Sequence, residues 1–159
     1  MIVRPHKVLL IKNHFIEFSF DEEEDVLPDF DKFKSLNSAE QYYLAENYNW
    51  DDGVIVLKWI VESSKCDKGT ACMIFWRAEP DYYFDFTADN VDEYERDVWE
   101  LLQLMLAKFK ANSFSRSRFE FIPAKEGYRT DWPTALDIWE LPKELKDGVQ
   151  GKRPFSFGL

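Results

Sequence analysis

Asn49-Trp50-Asp51-Asp52-Gly53 followed by Val54-Ile55-Val56-Leu57-Lys58-Trp59-Ile60-Val61 is the stretch on which the fold class turns. Five of the last eight residues are β-branched, and propensity alone reads 54–61 as a strand. The five residues before it form a turn-and-cap signal. Downstream, Asp67 is placed to cap a helix over 68–78, whose unbroken run Ala71-Cys-Met-Ile-Phe-Trp76 suits burial on most sides. Pro80 ends that helix.

Working outward, Ser38 reads as an N-cap for a helix over 40–48 with Tyr42, Tyr43 and Ala45 among its apolar positions. The clearest periodicity begins at Asn90: Val91, Tyr94, Val98, Leu101, Met105 and Phe109 step as the stripe of an amphipathic helix. Acidic residues crowd its predicted start, and Lys108 and Lys110 its end, which suits the helix dipole. Residues 7–20 carry two patterns. Phe18-Ser19-Phe20 alternates and predicts an N-terminal hairpin, while Val8, Ile11, Phe15 and Phe18 also fit a helical stripe. Residues 118–122 alternate as a short strand stopped by Pro123, and 141–146 predict one brief helix. The tail is expected to dock, with Phe155 and Phe157 packed on the body or on a neighbouring molecule.

The chain has 159 residues with 45% hydrophobic and 17% aromatic content, enough for a dense core. Its 30 acidic and 20 basic residues give a net charge of −10. That balance disfavours direct binding to nucleic acid, which needs Lys and Arg to displace counterions, and disfavours anionic membranes. Cys66 and Cys72 are the only cysteines, and their spacing suits neither a zinc site nor a disulfide within one helix; both are expected reduced and buried. No run reaches the ~20 apolar residues of a membrane span, nor the apolar core of a signal peptide. A cytoplasmic protein is the expectation.

The stretch Leu44-Ala-Glu-Asn-Tyr-Asn-Trp-Asp-Asp-Gly53, with Cys66-Asp-Lys-Gly-Thr-Ala71 and Phe75-Trp76, resembles an uncharacterised, mostly bacterial family known as domain of unknown function 4274. The resemblance is close over 44–78 and looser to about 123. It implies a helix at 54–61, against propensity, and carries no activity from which a catalytic residue could be transferred. The fold expected is mainly α: a compact single-domain helical bundle with minor β-structure. The domain spans 1–159, with a helical core over 38–123 and a docked tail over 147–159.

Motifs for phosphate loops, dinucleotide binding, zinc proteases and nucleophile elbows are missing, and only His6 and His14 could serve a nucleophile pair. No cofactor is expected. Glu46, Asp51 and Asp52 are the candidate carboxylates for a divalent cation or a hydrolase, although Asp at a helix start is explained by capping alone. The remaining signal is electrostatic. Residues 17–31 hold eight acids and no base; residues 81–100 hold eight acids against Arg96. Both blocks abut aromatics. Carboxylates steer association and aromatics anchor it, so Asp81, Tyr82, Tyr83, Asp85 and Asp89, with Glu22, Glu23 and Glu24, are the candidate residues for binding a basic protein. The expected function is a non-enzymatic binding module, most concretely an immunity or antitoxin-like protein that neutralises a basic toxin domain. Oligomeric state is left open.

Overall fold

The β-branched run is helical. A computed structural model, which describes residues 1–17, 27–130 and 139–156, places α4 at Ile55–Glu62. Magnitudes explain why propensity loses. A β-branched residue costs a helix at most about 0.7 kcal/mol. Val56, Leu57, Ile60 and Val61 are all fully buried on one side of α4, and each such burial is worth about 1.5–3 kcal/mol. Ile55, Lys58 and Glu62 face outward.

Helix α5, Lys68–Arg77, is the centre of the molecule: every residue from Lys68 to Trp76 is buried. It packs against α3 (Ser38–Asn47), α4, α6 (Pro80–Tyr83) and α7 (Arg96–Lys110). Around these lie α1 (Pro5–Ile11), α2 (Phe30–Lys34) and α8 (Lys143–Asp147). One continuous apolar cluster runs from Val3 to Val149. The fold is mainly α, with a parallel pair of two-residue strands, β1 (Ile2–Val3) and β2 (Phe155–Ser156), in which Ile2 faces Phe155 and Val3 faces Ser156.

Asp67 is the N-cap of α5, as its position predicts, and does more than cap. Its carboxylate is 1% exposed and accepts three backbone N–H groups: Gly69 at 2.9 Å and Phe119 at 3.1 Å on Oδ1, Arg118 at 2.7 Å on Oδ2. Lys68 N–H donates to Arg116 C=O at 2.8 Å, closing the junction. Gly69 lets the 116–119 segment approach: a Cβ there would lie 2.1 Å from the Phe119 carbonyl oxygen. The Lys68 ammonium meets Glu144 at 2.8 Å and Asn112 Oδ1 at 3.0 Å, and Trp76 Nε1–H donates to Leu145 C=O at 2.8 Å, which holds α8 on α5. Thus the Cys-Asp-x-Gly-Thr-Ala motif is a folding joint.

Several expectations need correction. The N-cap of α3 is Asn37, whose side chain and Glu40 form a reciprocal capping box; Ser38 instead donates to Lys65 C=O at 2.6 Å. Residues 5–16 form α1 and a π-helical turn, Lys12–Ile16, so no hairpin forms there; Val8, Ile11 and Phe15 are buried as the helical stripe requires, and Phe18 and Phe20 lie outside the described residues. Pro80 begins α6 after Glu79 turns the chain with φ 56°. Helix α7 starts at Arg96, because Asp92 accepts from Tyr94 and Glu95 N–H and holds 92–95 as a turn; Tyr94 is 92% exposed. Among the described residues, 118–122 make only single bridges, Phe119 with Lys152 and Phe121 with Val149. The tail docks through its backbone, Phe155 N–H donating to Met1 C=O at 2.9 Å, while the Phe155 ring is 59% exposed and Phe157 is outside the described residues.

Candidate functional site

The 80–100 segment carries most of its acids exposed, around a small cluster of aromatic rings. The rings of Tyr82, Tyr83 and Phe86 pack on one another with centroids 5.0–5.9 Å apart. Besides the Asp92 turn, side-chain bonds between more distant residues help hold the segment in shape. Tyr82 O–H donates to Glu95 Oε1 at 3.1 Å, Trp99 Nε1–H to Phe86 C=O at 3.2 Å, and the Arg96 guanidinium to Val91 C=O at 3.0 Å. Arg96, the one base of the block, is thereby turned onto the backbone. Asp81, Asp85 and Asp89 are exposed, Tyr82 is 57% exposed and Tyr83 is half-buried. Burial first, then the Tyr82, Glu79 and Asp92 side chains, hold the Tyr83 phenol above its ordinary pKa, so it remains a neutral donor. The structure therefore places Asp81, Tyr82 and Tyr83 on α6 and Asp85 and Asp89 on the loop that follows it. Glu22, Glu23 and Glu24 lie outside the described residues.

Beside this segment, a groove of about 590 Å³ opens between α4 and the first half of α7. Its floor is apolar, from Ile55, Leu101 and Leu104. Its walls carry Glu62 on one side and Asp97 and Glu100 on the other, with Lys58 the lone cation. Glu62, Asp97 and Glu100 form no ion pair among the described residues. Of the groove residues, Asp97 and Glu100 fall within the acidic block noted in the sequence, and Asp52 within the carboxylate triad. Ile55, Lys58, Glu62 and Leu104 are additions. Their signal was the spacing 55, 58, 62, one helix face, which a strand reading conceals.

The candidate cation triad is not brought together. Glu46 is exposed on α3 near Tyr42 and Tyr43, where burial and then its charge push the Tyr42 phenol up to about 12. Asp52 sits in the turn Trp50–Asp52 at the mouth of the groove, close enough to add to the burial that raises the Tyr48 pKa. Asp51 is exposed, and Asn49 accepts its N–H at 3.1 Å. Among the described residues no three His, Cys, Asp or Glu side chains converge as metal ligands. Both thiols are free and buried; burial pushes Cys66 up to about 12 and Cys72 further in the same direction, leaving them poor nucleophiles. Among the described residues no helix is long and apolar enough to cross a membrane.

The turn at 49–53, the capped α5 and the acidic start of α7 all fall in one segment. Residues 37–109 match the family described as Domain of unknown function (DUF4274). Every residue lining the groove lies within the DUF4274 segment, as do Asp67 and Tyr82. Donors to Asp67 at 118 and 119 lie beyond it. No curated protein and no solved structure matches this chain.

Proposed function

We propose that this protein is a non-enzymatic binding module that occludes a basic protein, most concretely an immunity or antitoxin-like protein neutralising a cationic, cognate toxin domain. The observation that carries the reading is the 81–100 segment: seven exposed carboxylates and the exposed Tyr82 and Tyr94 against one base, Arg96, bonded to the backbone. Such a segment attracts a cationic partner from a distance, and its tyrosines give it contact area at low entropy cost. The net charge of −10 favours the same class of partner. Inhibition by occlusion requires no catalytic group on the inhibitor.

The test is association with the product of the adjacent gene, followed by surface plasmon resonance at two salt concentrations. Association should slow steeply as salt rises, because exposed charges are screened within about 8–10 Å at 0.1–0.15 M ionic strength. Asp81→Lys with Asp85→Lys should lower the association rate by about tenfold with little change in dissociation. An association rate indifferent to both salt and these substitutions would remove the basis of the reading.

A further inference from the structure

We propose that the α4–α7 groove is the anchoring seat for a basic amphipathic helix of the partner, about two turns long; this deepens the basic-partner reading and rests on it. Ile55, Lys58 and Glu62 lie on one face of α4, and Asp97, Glu100, Leu101 and Leu104 on one face of α7. Each set spans eight residues, about 10 Å of helix. An occupant presenting apolar side chains at i, i+3 or i+4, and i+7 matches that length. Its apolar stripe would cover Ile55, which is 45% exposed, together with Leu104 above the buried Leu101.

Charge selects the occupant. Glu62, Asp97 and Glu100 flank the apolar floor without ion-pair partners among the described residues, against Lys58 alone. A neutral helix seated there would strip water from three carboxylates without compensation, and an acidic one would be repelled. Lys or Arg flanking an apolar stripe satisfies both walls and floor. A second copy of this chain is a poor fit, since a protein of net charge −10 would bring acid to acid. The groove and the 81–89 segment then divide the labour. The segment draws the partner in, and the groove holds it.

The test uses the full ¹⁵N-labelled chain and two synthetic helical peptides of equal positive charge, one with Leu at i, i+4 and i+7 among Lys residues, the other with each Leu replaced by Ser. The Leu peptide should shift amide resonances of Ile55–Glu62 and 97–104 and bind at least about tenfold more tightly than the Ser peptide. Glu100→Lys and Ile55→Ser, both exposed substitutions, should each weaken it by about tenfold while leaving the circular dichroism spectrum unchanged. Equal affinity for both peptides, or shifts confined to 81–94, would overturn the groove and leave the basic-partner reading standing. If neither peptide binds, both fall.

Discussion

Replacing Asp67 by Ala tests the central joint of the fold. The carboxylate is 1% exposed and satisfies three backbone N–H groups, two of them on residues more than 50 positions away. Losing an N-cap acceptor costs about 1 kcal/mol. Stranding the buried Phe119 amide and the part-buried Arg118 amide costs up to about 1.5 kcal/mol each, so the sum is up to about 4 kcal/mol. Against a typical domain stability of about 5–15 kcal/mol this is a large fraction. For a chain of this size it lowers Tm by up to about 8–16 °C. Asp67→Asn sharpens the reasoning. Its remaining oxygen still serves two donors, but its NH₂ then opposes Arg118 N–H, so about 2 kcal/mol should be lost. Urea unfolding followed by far-ultraviolet circular dichroism gives both numbers. A loss below about 1 kcal/mol for Asp67→Ala would refute the claim that these amides depend on the carboxylate.

Two glycines, one in the 49–53 turn and one in the 66–71 joint, should fail for different reasons. Gly69→Ala puts a methyl against the Phe119 carbonyl and should cost about 3 kcal/mol or more, whereas Gly53→Ala meets nothing within 4 Å yet must hold φ 87° and ψ −175°, at about 2 kcal/mol; thermal melts of both decide it. Trp76→Phe removes the bond to Leu145 C=O and should cost about 1–2 kcal/mol by the same assay. Cys66 titrates at about 12 when folded against about 9 ordinarily, so its contribution is intact below pH 9 and stability should fall from there up to pH 12, as the unfolded chain ionises first. Urea midpoints across that range, with the Cys66→Ala variant showing a shallower fall, check the sign. Neither thiol should react with Ellman's reagent before unfolding.

Much of the helical frame was legible because it rests on local chemistry. Asp67 as a cap and the buried run 71–76 follow from residue type and spacing alone. Where local rules misled, a longer-range term had won. Burial of four side chains overrode β-branching in α4. Asn37 and Glu40 together made a better cap than Ser38 alone. The Asp92 turn used up the first residues of the α7 pattern. Asp81, Tyr82 and Asp85 could be nominated from the sequence because they are neighbours in it. The groove could not, since Ile55 and Glu62 meet Asp97 and Leu104 only after α4 and α7 have folded.

The reach of Asp67 also bears on how small a working piece of this protein can be. A fragment cut at the limits of the DUF4274 match would end at residue 109 and lack Arg118 and Phe119. Its central helix would then begin with a buried carboxylate facing no long-range donors, and Gly69 would lie open to water. Truncation at that boundary leaves the family segment without its closing wall, so the smallest autonomous unit must extend through the 116–121 segment that Asp67 holds.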